Sequence, residues 1–157
     1  MKKISRKAFL VGGTAAAVTL GGCLCTQMGR ATLFGTGTTP EISREAYEVL
    51  DGETIRIDLD HVPELASVGG AVKISDSDMD DSLIIARTSE NDYVATSIFC
   101  THRGVEVEYR HGDQCLKCAS LGGSTFGTNG DIIRGFAKSS LRTYTTSCRD
   151  GILEVHL

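Results

Sequence analysis

Cys100 and His102, with Cys118 following after a gap of fifteen residues, are the side chains of this sequence best suited to chemistry. Thiolate and imidazole are the donors preferred by zinc and iron, and two short loops carrying them can converge on one metal. Cys115 stands three residues before Cys118, so Cys100, His102, Cys115 and Cys118 spell CxH-x12-CxxC. Such a three-cysteine, one-histidine set would hold one zinc ion tetrahedrally. Of the other histidines, His61 and His156 have no supporting context and read as surface or packing residues. His111 lies between the donor boxes beside Gly112-Asp113, where it reads as a polar turn residue or as a spare imidazole. The chain carries no Ser/His/Asp arrangement, no phosphate-cradling glycine loop and no nucleotide motif.

The segments around these residues carry a wider pattern. Cys100-Thr101-His102-Arg103-Gly104 matches C-T-H-x-G. Leu116-Lys117-Cys118 and Gly123-Ser124-Thr125-Phe126 match the two ends of C-P-x-H-G-S-x-F. Asp131 to Ala137 and Leu141 to Tyr144 follow D-G-x-V-x-R-G-P-A and P-L-x-x-Y, and Asp150 to Val155 resembles a closing strand. In this order, over roughly the last two-thirds of the chain, the segments resemble the Rieske [2Fe–2S] domain. The exported iron–sulfur subunit of quinol–cytochrome c reductases is similar.

The resemblance implies an all-β fold, an antiparallel sandwich or barrel with a small cluster-binding subdomain from Phe99 to Tyr144. It also implies a [2Fe–2S] cluster, with Cys100 and Cys118 on the buried iron and His102 on the outer one. Ser124 would hydrogen-bond a cluster sulfide. The function implied is one-electron transfer, with a membrane quinol-oxidising complex or a c-type cytochrome as partner. The chain would be the electron-transfer component of an oxidoreductase rather than a stand-alone enzyme.

Several positions depart from the family pattern. Leu121 occupies the position of the second histidine ligand, Ala119 replaces a proline, and one extra residue separates Cys118 from Gly123-Ser124. Counting back from Phe126 instead puts Gly122 at the histidine position. Phe136 and Ser140 take proline positions of the loop that covers the cluster, and Val105 and Ser120 those of a common disulfide pair. Three outcomes stay open at this point. One is a labile cluster, or one whose fourth ligand is His111 or Cys115. Another is the zinc-binding module. The third is a cluster-less exported lipoprotein with a structural or accessory role, in which Phe136 and Leu121 pack into the vacated space.

Such loops need a scaffold, and the rest of the sequence supplies short strands. Alternation and apolar runs predict strands over Thr54–Leu59, Ala71–Ile74, Leu83–Arg87, Tyr93–Phe99, Val105–Tyr109, Gln114–Lys117, Ser124–Phe126, Ile132–Arg134, Leu141–Thr146 and Ile152–His156. Glycine and Asp/Asn/Ser clusters separate them, which suits a sandwich or barrel. Glu41 to Leu50 reads as one or two helical turns. The 157 residues make one domain plus a leader, and 18 glycines among 41% hydrophobic residues fit a turn-rich β domain. A net charge of −4 gives no reason to expect a nucleic-acid partner.

Residues 1–22 read as an export signal. Lys2, Lys3, Arg6 and Lys7 precede an apolar run, and Ser5-Arg6-Lys7-Ala8-Phe9-Leu10 resembles the twin-arginine pattern. Leu20-Gly21-Gly22-Cys23 resembles a lipobox with Cys23 as the lipidated residue; an uncleaved signal anchor is the alternative. Residues 23–46 read as a flexible tether and residues 47–157 as the domain. Both anchors place the domain on the outer face of the cytoplasmic membrane. In that compartment Cys115 and Cys148 are either a disulfide or two buried free thiols.

Overall fold

The computed structural model describes residues 37–157. The segments read as an export signal and a lipobox at Cys23, and most of the expected tether, lie outside the described residues. The fold is all-β and antiparallel. Its strands are β1 (Tyr47–Leu50), β2 (Thr54–Asp58), β3 (Ala71–Ile74), β4 (Leu83–Arg87), β5 (Tyr93–Ser97) and β6 (Val107–Arg110). They continue as β7 (Cys115–Cys118), β8 (Thr125–Gly127), β9 (Ile132–Arg134), β10 (Thr143–Arg149) and β11 (Ile152–His156). Seven strands form one sheet in the order β1-β2-β11-β10-β5-β4-β3, and β6-β7-β8-β9 form a second. The second sheet falls within the subdomain expected between Phe99 and Tyr144.

The large sheet is continuous because β10 changes partner along its length. Thr143 and Tyr144 pair with β5, whereas Thr145 to Arg149 pair with β11. Asp150-Gly151 closes the β10–β11 hairpin with both residues at positive φ. A two-residue turn of that kind matches the right-handed twist of its strands.

Two apolar cores result, and β4 lies between them. Strand side chains alternate, so Leu83 and Ile85 enter the large core with Ile55, Ile57, Val72, Leu153 and Val155, while Ile84 points the other way. There Ile84 meets Ile98, Val107, Leu116, Phe126 and Leu141, together with Cys100 and Cys118. Burial on both faces explains why β4 reads as an unbroken apolar run.

The stretch from Glu41 to Leu50 is not helical beyond one 3-10 turn, Arg44–Ala46, started by Ser43, whose Oγ accepts from the backbone N–H of Glu45. Tyr47 to Leu50 then extend as β1 against β2. Cross-strand pairing outweighs the helix preference of Glu, Arg and Ala once Tyr47 finds a buried place in the core.

Residues assigned to the end of the tether also belong to the packed unit. Lys73 donates its N–H to Pro40 O, Ile42 donates to Lys73 O, and Ile42 and Ala46 are buried. Farther back, Glu106 accepts from Gly37 N–H at 2.9 Å and Glu108 from Thr38 N–H at 2.7 Å. Smaller differences concern strand ends. For example, Val105 accepts from Cys100 N–H inside a turn, so β6 starts at Val107.

Two tyrosines pin the segment between β3 and β4. Tyr47 OH donates to Asp76 and Tyr144 OH to Asp81, at 3.0 and 2.8 Å. Burial and these carboxylates push both phenols up to about 12, and burial also raises Tyr93 and Tyr109. A phenol pKa raised in the folded state gives stability that is complete below the unfolded value and lost as pH climbs through the folded one. Alkaline titration by tyrosinate absorbance should show Tyr47 and Tyr144 ionising last. Denaturant stability should fall between about pH 10 and about pH 12, and less steeply in Tyr144→Phe. Phe126 is fully buried in the second core. Phe126→Ala should lower unfolding stability by about 3–5 kcal/mol in chemical denaturation.

Candidate metal centre

Three loops meet over the second core. The first is a turn closed on itself: Cys100 N–H donates to Val105 O at 2.8 Å and Gly104 N–H to Cys100 O at 2.8 Å. Gly104 sits at φ +68°, a conformation that a Cβ disfavours. The turn follows β5 directly, so the sheet fixes where Cys100 enters the core.

The second loop leaves β7 at Cys118. Cys118 N–H donates to Ser124 O at 2.9 Å, and Ala119 N–H reaches across to Glu106 O. Gly123 is required sterically, since a Cβ there would lie 2.4 Å from Cys118 O. The third loop, residues 135–142, is tied to the first by Thr101 Oγ1, which donates to Ser139 O at 2.7 Å. It packs on the second at Gly135 (φ +107°), where a Cβ would lie 2.6 Å from Ser124 Cα.

These loops bring Cys100, His102 and Cys118 together, with one donor atom from each lying within 4.8 Å of the others. Both cysteines are buried. Burial raises the Cys100 thiol; the His102 backbone N–H opposes the rise, and the adjacent Cys118 adds to it. His102 Nδ1 and Ser124 Oγ are buried with no hydrogen-bond partner. Orphaned buried polar atoms are rare in folded proteins. Here two of them adjoin a pair of buried sulfurs.

The other candidates are placed elsewhere. Cys115 is buried on β7 and is not among the donors that converge, so the four-ligand zinc set is not assembled. His111 sits in the 3-10 turn His111–Asp113, where its ring meets Tyr109 OH and the Gln114 side chain at 3.1 and 3.0 Å. Cys148 is exposed on β10, in the other sheet from Cys115, and both are free, so this pair is not a disulfide.

Leu121 does not fill the site. It is 86% exposed, and Phe136 is 73% exposed, so neither packs into the space near the donors. The cause is local. Gly123 N–H donates to Ser120 O at 2.9 Å and Gly122 lies at φ +69°, so Ser120 to Gly123 form a reverse turn with Leu121 at its tip. The extra residue between Cys118 and Gly123-Ser124 is absorbed in that turn.

Ser120 was legible only as half of a missing disulfide pair. Its hydroxyl lies 3.2 Å from Cys118 Sγ, close enough to hydrogen-bond the sulfur. A serine two residues after a cysteine ligand is the signal that would have found it. Phe136 also stands near a donor, with its ring 6.4 Å from that of His102 at 38°.

For a [2Fe–2S] cluster, the residues present supply three of four protein donors and a buried hydroxyl suited to a sulfide. They fit such a group with one coordination position left to another ligand.

The family model described as Rieske [2Fe-2S] domain matches residues 58–145. Among solved structures, the ferredoxin of carbazole 1,9a-dioxygenase from Nocardioides aromaticivorans IC177 is similar in fold, with 16% identity and a TM-score of 0.51. That match covers 63% of this chain and 91% of the ferredoxin. The plasma membrane Rieske protein PetC3 from the cyanobacterium Synechocystis PCC 6803 matches at 21% identity and a TM-score of 0.48, over 55% of this chain and 86% of its own. No curated protein sequence gives a significant match.

The donor assignment has a direct check. Cys100→Ala and Cys118→Ala should each abolish metal binding measured by elemental analysis, whereas Cys115→Ala should leave it unchanged. In the metal-free protein, iodoacetamide should label exposed Cys148 before Cys100, Cys115 or Cys118, read by mass spectrometry of native protein.

Proposed function

Because the chain belongs to the Rieske [2Fe-2S] domain family, we propose that it passes single electrons through a [2Fe–2S] cluster held by Cys100, His102 and Cys118. The observation that carries this reading is the pair of orphaned buried atoms, His102 Nδ1 and Ser124 Oγ, beside the two buried sulfurs. The cluster, when bound, supplies a centre that gains and loses one electron. The chain's own residues set the conditions. Cys100 and Cys118 offer thiolates from the apolar side, where Phe126, Val107 and Leu116 keep water away. His102 would offer its buried, unpartnered Nδ1 as the third donor. Ser124 Oγ–H and Ser120 Oγ–H would donate to sulfur, drawing off electron density and favouring the reduced state.

The place proposed is the one the N-terminal sequence supports: a domain exported by residues 1–22 and held at Cys23 to the outer face of the cytoplasmic membrane. A membrane quinol-oxidising complex or a c-type cytochrome is the proposed partner. Leu121, Ile133 and Phe136 give the site's end of the domain exposed apolar side chains against which such a partner can pack.

A single zinc ion held by Cys100, His102 and Cys118 is the alternative. Donors sharing one tetrahedral ion stand about 3.7 Å apart. The 4.8 Å within which the three atoms lie is wider than that, so the loops would have to close in to hold one ion.

Metal and acid-labile sulfide analysis separates the readings. Equal iron and sulfide in a red-brown protein, with the electron-paramagnetic signature of a mixed Cys/His cluster on reduction, is the expected result. One zinc in a colourless protein supports the single-ion site, and folded metal-free protein supports an accessory scaffold. In the cluster-loaded protein, Ser124→Ala should lower the reduction potential measured by voltammetry, because the reduced sulfide loses a donor.

A further inference from the structure

The end of the domain that carries the donors differs in charge from the rest of the chain. The sequence has a net charge of −4, yet from Gln114 to Arg149 its one carboxylate is Asp131. That residue is engaged by Asn129 and Ser140, whose side chains donate to it at 2.8 and 3.2 Å. Lys117 and Arg134 line one open cavity with Ser120, Leu121 and Gly135. Both pair in register with Thr125, so they stand together on the outer face of the small sheet. Glu108, opposite Lys117, is taken by Arg110 at 2.7 Å and by Thr38. On the other flank, exposed Arg103 follows His102, and exposed Lys138 adjoins Ser139, which Thr101 ties to the first loop. Among the described residues none of these four cations has a carboxylate partner.

Apolar tips stand between the two flanks. Leu121 is 86% and Phe136 73% exposed, and Phe136 directly follows Gly135 of the cavity wall. Apolar side chains at loop tips, ringed by cations, suit a surface that is anionic outside and hydrocarbon within. The path of the chain points to the same surface. Gly37 and Thr38, the first described residues, donate their backbone N–H groups to Glu106 and Glu108. Glu106 O in turn accepts from Ala119 N–H, at the start of the Leu121 loop. The segment read as a tether therefore joins the domain beside the donor loops. Residues 23–36 reach at most about 50 Å from an anchor at Cys23. A contact made within that reach is intramolecular, so a few side chains suffice for it.

We propose that this end of the domain docks on an anionic bilayer surface, with Leu121 and Phe136 entering the headgroup layer and Lys117, Arg134, Arg103 and Lys138 meeting lipid phosphates. The inference rests on the membrane placement already proposed and deepens it. The bilayer that holds the anchor also holds the donor end, until a protein partner replaces it.

The chain has no tryptophan, so Phe136→Trp places a single indole at the patch. Val68→Trp places one near the far end of the β6–β7 hairpin, because the neighbouring Gly69 lies against His111. Each full-length variant is bound to vesicles of phosphatidylcholine, with or without phosphatidylglycerol, whose brominated acyl chains quench indole emission. With phosphatidylglycerol the Phe136→Trp emission should shift to the blue and be quenched, and that of Val68→Trp should do neither. Adding Lys117→Glu and Arg134→Glu should abolish the quenching. Salt at about 1 M, where the screening length is about 3 Å, should do the same.

Vesicle-bound protein whose Phe136→Trp indole stays unquenched overturns the docking face and leaves the anchor standing. Equal quenching of both indoles overturns the orientation. Quenching that survives charge reversal, salt or the omission of phosphatidylglycerol overturns the anionic class. Poly-glutamate that binds through Lys117 and Arg134, with no quenching on vesicles, assigns the patch to an acidic protein and overturns this proposal. Full-length protein that stays off both vesicles overturns the membrane placement and this inference with it. Iron and sulfide content reads the electron-carrier proposal separately, since no step of the test depends on a metal.

Discussion

The placement of two sulfur atoms in an apolar core is the constraint on which the rest of the structure depends. Cys100 and Cys118 share the second core with Phe126, Val107 and Leu116, so their positions are set by packing rather than by loop preference. Each is then pinned at its backbone, Cys100 N–H to Val105 O and Cys118 N–H to Ser124 O. β4 joins this core to the large one through alternate side chains. The sandwich and the site are therefore one packing problem. A change at Ile84 or Ile98 is felt at the donors even though neither residue offers chemistry.

The second loop shows how a single extra residue alters chemistry without altering the fold. Gly123 must stay a glycine to pass Cys118 O, and Ser124 must stay where its carbonyl accepts from Cys118 N–H. With both ends fixed, the surplus between them has one way to go, outward into the Ser120 to Gly123 turn. Gly122 takes the positive φ that the turn needs, and the residue before it is carried to the tip. Leu121 is exposed because of this closure, not because an apolar side chain prefers water. The same geometry brings Ser120 Oγ to the Cys118 sulfur.

Most of the scaffold was legible because its signals are local. The apolar run of β4, the Asp150-Gly151 turn and the glycines of the donor loops each announce themselves within a few residues. The donor set was legible from residue type and spacing, and the strand expected over Gln114–Lys117 already set Cys115 back from the tip, where β7 buries it. What could not be read depends on distant partners. β1 exists because β2 is there to pair with it, and residues 40–46 pack because β3 offers an open edge at Lys73. Ile42 in a stretch of Thr, Pro and Glu gives no local sign of entering a core.

The two sides of the site are unequal, and that inequality has a physical consequence. On the inner side, burial raises the Cys100 thiol and the adjacent Cys118 raises it further, against the His102 backbone N–H. The Cys100 thiolate is disfavoured there without a cation, so binding a metal would release its proton in the same event. On the outer side, the His102 ring stands 6.4 Å from that of exposed Phe136, and Leu121 is turned to solvent. Retention of a bound metal would thus rest on the two buried sulfurs, whose places the core sets, rather than on the exposed outer loop.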